Sequence, residues 1–138
     1  MKRVTSIGGI FFKCEDPKAQ RDWYANHLGF KTDDYGTTFE WRKSDQQEEK
    51  GYSVWSTFPK DTDYFAPSKK EFMINFRVED LENLLIELKK EGVQIIGEVQ
   101  NFEYGKFAHI MDPEGNKIEL WEAIDNAFEE MVGDVVTK

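Results

Sequence analysis

Apolar and polar positions alternate near the start of the chain. Ile10, Phe12 and Cys14 fall on one face, Gly9, Phe11 and Lys13 on the other. That two-residue period predicts a half-buried strand. The alternation returns at 73–78, where Ile74, Phe76 and Val78 oppose Met73, Asn75 and Arg77. Each run stops at an aspartate, Asp16 before Pro17 and Asp80 before Leu81. An aspartate at the cap and a proline at the first helical position both start helices. The second predicted helix carries Leu81, Leu84, Leu85 and Leu88 at the spacing of one helical face. The first carries Ala19, Trp23, Tyr24 and Leu28 less regularly, and both stop before a glycine, Gly29 or Gly92, suited to a left-handed cap.

The two strand–helix units are copies. Phe12 and Phe76, Glu15 and Glu79, and Asp16 and Asp80 are each 64 positions apart, and Gly51 and Gly115 repeat the offset. Shorter strands are predicted at 37–42 and 52–58, flanking a polar loop at 43–50, with another near 30–32. In the second half they fall at 93–96, 107–111 and 117–122, the last two joined by the Asp112-Pro113-Glu114-Gly115-Asn116 turn. The pattern therefore predicts one α+β domain over residues 1–138. It consists of a βαβββ module (4–58), a linker (59–70), a second module (71–122) and a tail (123–138). In the tail Ile124, Phe128, Met131, Val132 and Val135 form a helical stripe, which either packs on its own sheet or meets a second copy.

Composition narrows the function classes. The 138 residues are 39% hydrophobic and 33% charged, as in a globular chain. A net charge of −9 argues against nucleic acid and against an anionic membrane surface, and mildly favours a cationic ligand. The lone Cys14 excludes an internal disulfide and a cysteine-based zinc site, and is expected to be a buried, inert thiol. The opening apolar run is too short for a leader and no stretch is long enough to span a bilayer, so a cytoplasmic protein is expected. His27, in the last turn of the first helix, favours the helix C-terminus electrostatically. Neither a phosphate-binding glycine loop nor a serine nucleophile elbow is present.

The second module closes on Asp112-Pro113-Glu114-Gly115-Asn116-Lys117-Ile118-Glu119-Leu120. With Phe76-Arg77-Val78-Glu79-Asp80, and with Trp23-Tyr24 ahead of Leu28-Gly29-Phe30, it resembles the glyoxalase/bleomycin resistance protein/dioxygenase superfamily, the vicinal oxygen chelate proteins. The resemblance spans Val4 to Glu122 and implies that curved mixed sheets form a cup. In metal-using relatives the cup holds a divalent ion through His and Glu on the first and last strands of each module. Carried over by motif, those four positions fall on Gly9, Trp55, Met73 and Glu119. Glycine and tryptophan offer no ligand, a thioether is soft, and one carboxylate cannot build a divalent site. The expectation is no metal and no cofactor.

The side chains expected inside the cup are Gly9, Phe11, Trp41, Trp55, Met73, Asn75, Tyr104, Phe107 and Trp121 as ligand-binding residues, with Phe39 beside Trp41. An aromatic wall with few polar groups suits a small molecule, or else simply fills a core. If Asp112 pairs with Asn116, His109 lies opposite Glu119; a one-residue slip turns it away. The two would form a dyad in which the carboxylate orients the imidazole. Two functions follow. The first is a metal-free protein binding a planar, partly apolar small molecule. The second is a cofactorless isomerase or lyase with His109 and Glu119 as its acid–base pair, and Asn75 or Tyr104 steadying an oxyanion. A metal-dependent lyase or extradiol dioxygenase ranks below both because of the ligand set. Asp61, Asp63 and Tyr64 in the linker are candidates to reach over the cup mouth, though nothing in the sequence fixes it. A homodimer is expected, with modules pairing either within or between chains.

Overall fold

The computed structural model describes residues 1–138. Its elements are β1 (Val4–Cys14), α1 (Pro17–Leu28), β2 (Gly36–Lys43), β3 (Gln46–Pro59), β4 (Phe72–Val78), α2 (Leu81–Lys90), β5 (Ile95–Phe102), β6 (Gly105–Met111), β7 (Lys117–Ala123), α3 (Asp125–Val132) and β8 (Val136–Thr137). The strands make one curved, unclosed sheet of eight in the order β5-β6-β7-β4-β1-β3-β2-β8. No helix is long and apolar enough to cross a membrane.

Both helices start where the aspartates predict. Asp16 accepts the Ala19 amide at 3.0 Å and Asp80 the Asn83 amide at 3.3 Å, and Gly29 ends α1 at φ 72°. The repeat survives as topology. β1 runs parallel to β3, β4 runs parallel to β7, and β1 and β4 join the halves antiparallel. Both walls of the cup therefore come from one chain.

Alternation assigns the two faces. On one side Leu81 and Leu84 of α2 cover Val78, Ala108 and Leu120, with Phe76 packed against them. On the other side Phe11 and Met73 close around Phe65 of the linker, and Tyr52, Trp121 and Phe128 form a second apolar cluster.

Four sequence expectations need correction. No strand forms near 30–32; Asp33 Oδ1 instead accepts the Tyr35 and Gly36 amides in a turn. The first module is therefore βαββ, and the strand beyond β2 is β8, in the tail. The polar stretch at 43–50 is no loop, because β2 and β3 run through it as a hairpin ribbon. A ribbon wetted by solvent carries no apolar alternation to betray it. β5 begins at Ile95 and reaches Phe102, later and longer than 93–96. The tail helix ends at Val132 and buries Phe128, leaving Ile124 and Met131 exposed.

One buried charge ties the tail to the sheet. Arg77 donates from Nη1 and Nη2 to the Asp125 carboxylate at 2.8 and 2.7 Å, and from Nη1 to the Tyr52 carbonyl at 3.2 Å. Its guanidinium lies between the indoles of Trp41 and Trp121, 5.0 and 5.3 Å from their rings. Removing one partner of a buried pair strands the other charge. Asp125→Ala should lower unfolding free energy by about 3 kcal/mol in urea titration, and the apolar pair Arg77→Met with Asp125→Leu should recover at least about half of it. A loss for Asp125→Ala below about 1 kcal/mol would put the pair among weak surface bridges.

Candidate functional site: a carboxylate corner in an aromatic cup

The concave face encloses a cavity of about 690 Å³. Phe11 of β1 and Val54, Ser56 and Phe58 of β3 line one wall; Phe102 of β5, Tyr104, Phe107 of β6 and Trp121 of β7 line the other. Phe128 of α3 closes one end, and Tyr64 of the linker reaches in beside Asn75 and Glu119. The second wall is a continuous aromatic layer. Phe102 stacks on Tyr104 at 5.4 Å, and Phe107 stacks on Trp121 at 5.6 Å. Trp121 is held in place by its Nε1, which donates to the Tyr104 carbonyl at 3.1 Å.

The polar corner is built around Glu119, which is 2% exposed. Asn75 Nδ2 donates to its Oε1 at 2.7 Å, while the Tyr64 hydroxyl and His109 Nε2 meet its Oε2 at 2.5 and 2.8 Å. Three segments therefore converge on one carboxylate. The Asp112 amide bonds the Asn116 carbonyl, and His109 lies directly opposite Glu119, the register that faces them together. A carboxylate buried this deeply persists only when such donors replace its water.

The corner is supported in turn. Lys117, on the same face of β7, donates to the Tyr64 carbonyl at 2.8 Å and holds the linker down. Burial pushes the Lys117 ammonium below its ordinary range. Burial is also the largest effect on Tyr64, and the neighbouring Glu119 charge and hydrogen bond add to it, so the phenol ionises far above its usual range. Tyr104 is raised for the same two reasons, burial and then the Glu119 charge. Asn75 Oδ1 has no donor, and a side chain at Gly8 would collide with it.

Of the residues expected in the cup, Phe11, Asn75, Tyr104, Phe107 and Trp121 line the cavity, with Glu119. His109 is buried behind Glu119 and does not line it. Trp55 belongs to the opposite face, among Phe12, Tyr24 and Phe30 under α1, because Val54 is the residue that pairs with Gly9. Phe39 packs on Phe30 on that same side. Trp41 lies on Arg77, away from the cavity. Gly9 leaves no opening, since a Cβ there would press on the Phe11 ring and Val54, and Met73 is fully buried core. Cys14 is half-buried, and burial raises its thiol pKa. Val54, Ser56 and Phe58 carry no expectation from sequence, while Tyr64 is placed only as a linker residue near the mouth and Phe128 only in the tail stripe. The β3 residues follow by alternation once the strand's phase is known, whereas nothing in the sequence fixes the direction of Tyr64.

Residues 6–120 match the family described as Glyoxalase/Bleomycin resistance protein/Dioxygenase superfamily. The chain belongs to this superfamily. No curated protein matches the sequence. Among solved structures, the chain is similar to methylmalonyl-CoA epimerase from Streptomyces coelicolor in complex with 2-nitronate-propionyl-CoA, at TM-score 0.63 and 18% identity over 88% of this chain and 99% of that one. It is similar to methylmalonyl-CoA epimerase from Mycobacterium tuberculosis at TM-score 0.57 and 19% identity, over 89% and 91% of the chains. It also matches the Mn(II)-bound glyoxalase from Novosphingobium aromaticivorans at TM-score 0.57 and 16% identity, over 88% of this chain but 40% of that one. At these identities the likeness shows the fold alone.

The superfamily's divalent ion can be tested against the donor set. In this member the first-strand and last-strand positions facing the cup pair as Gly9 with Val54 and as Asn75 with Glu119. No three His, Cys, Asp or Glu side chains come together anywhere in the chain. One carboxylate, already holding three donors, and one imidazole spent on it do not fit a divalent ion.

Tyr64 offers a direct check on the corner. Its phenol ordinarily ionises at 10.0 and is pushed above that in the fold. Below pH 10 it is neutral folded or unfolded; above, only the unfolded chain ionises freely, so its contribution falls as pH rises. Tyr64→Phe should cost about 1.5 kcal/mol at neutral pH, and the deficit should shrink above about pH 10. Urea titrations of both proteins across that range measure it. A deficit unchanged by pH would remove Tyr64 from the Glu119 corner.

Proposed function

We propose that this member of the superfamily binds a planar, partly apolar small molecule in its aromatic cup, without a divalent metal. The observation that carries this reading is the cavity itself. At about 690 Å³, with aromatic walls and one polar corner, it has the size and lining typical of small-molecule sites. The polar corner favours recognition over chemistry. Glu119 meets the cavity with three of its roughly four acceptor positions occupied, and His109 stands behind it rather than beside a ligand. The epimerase of S. coelicolor carries a propionyl-CoA nitronate in this fold. That occupancy supports ligand use of the cup, and the low identity keeps the particular substrate from carrying over.

N-phenyl-1-naphthylamine, a neutral flat fluorophore, tests the cup. Chelator-treated protein should bind it saturably, and Tyr104→Ala or Phe102→Ala should weaken binding about five- to tenfold by removing stacked wall. Thermal unfolding of the same protein should not move with Mn²⁺, Ni²⁺, Zn²⁺ or Fe²⁺. Absence of saturable binding would show the aromatics to be core alone. A saturable stabilisation by a divalent ion, about 2.7 kcal/mol at 100 times its dissociation constant, would overturn the metal-free reading.

A further inference from the structure

We infer that Arg21 binds the acidic group of the cup's ligand, which makes that ligand a flat organic anion. The inference rests on the cup reading above and adds the charge of the occupant. Arg21 projects from α1 to the rim of the cavity, where it is the sole Lys, Arg or His among the lining residues. Its side chain is half-buried, and Nη1 donates to Thr57 Oγ1 at 3.1 Å. That contact pins one edge of the guanidinium against β3 and leaves most of its five N–H donors without a protein acceptor.

The missing partner is what separates Arg21 from the chain's other arginines. Arg3 pairs with Glu91, Arg42 with Glu40 and Arg77 with Asp125. Arg21 has no carboxylate within 4.0 Å, in a chain with 27 Asp and Glu against 18 Lys and Arg. A guanidinium is the side chain best matched to a carboxylate, sulfonate or phosphate, because its fork meets two oxygens at once. The acids of the cavity do not compete for a cation in the same way. Glu119 already holds three partners, Asn75, Tyr64 and His109, and Asp34, also on the rim, is exposed to solvent. An apolar plate lying between Phe58 and the stacked far wall, with its anionic group at the Arg21 rim, uses both features of the cavity.

Two probes that differ only in a sulfonate decide the matter. These are N-phenyl-1-naphthylamine and 8-anilinonaphthalene-1-sulfonate, titrated by fluorescence into wild type, Arg21→Ala and Arg21→Gln. The glutamine variant keeps a donor for Thr57 and removes the charge, so it covers a structural failure of the alanine variant. The expected result is about a tenfold loss for the sulfonate probe in both variants, with the neutral probe held within about twofold. Added salt should weaken the sulfonate probe in wild type and have less effect in the variants. Equal losses for the two probes would make Arg21 a wall residue, and no loss for either would remove it from the site; both overturn the inference and leave the cup standing. Failure of the neutral probe to bind wild type would overturn the cup and the inference together.

Discussion

Burying Glu119 at the bottom of an apolar cup is the constraint around which the rest of the structure is arranged. An ionised carboxylate without water costs several kcal/mol unless donors replace the hydration shell. Here the donors come from β4, β6 and the linker, which are distant in sequence and meet only if the sheet has its observed order. A one-residue slip of β6 against β7 would take His109 away; a shift of β4 would take Asn75. The carboxylate thus acts as a register lock, and its three partners make each wrong pairing leave a buried charge short of a bond.

The same constraint breaks the internal symmetry. The halves share a topology, yet the paired central positions are Gly9 and Val54 in the first and Asn75 and Glu119 in the second. The central pair of the first half is therefore apolar, and the central pair of the second carries the Glu119 hydrogen bonds. A site with ligands from both modules would need polar groups at all four positions. With them at one pair only, the four central positions do not supply the ligand set of a divalent ion.

Much of the fold was legible because strand alternation and aspartate caps are local signals. The His109–Glu119 register was legible for the same reason, since the Asp112–Asn116 turn sets which residues of β6 and β7 oppose each other. Trp55 was misplaced because the repeat offset of 64 positions shifts β3 by one residue against its true partner, and one residue turns a strand over. The 43–50 segment failed differently, because a ribbon with both faces wet has no apolar period. Tyr64 was beyond reach. A linker residue is placed by what it finds to bond, and its partner, the Glu119 carboxylate, exists as a site only after the sheet has formed.

The tail connects stability to the shape of the cavity. Phe128 forms one end of the cup and packs on Trp121 and Tyr52, while Asp125, three residues earlier on the same helix, neutralises Arg77. Arg77 in turn lies against Trp121, which also stacks on the Phe107 ring of the cavity wall. A guanidinium held by a carboxylate thus sets the position of an indole, and the indole sets the far wall. The helix at the end of the chain is on this account part of the cavity wall. Phe128 covers Tyr52 and Trp121 at that end of the cup, and the Arg77–Asp125 pair anchors the helix that carries it.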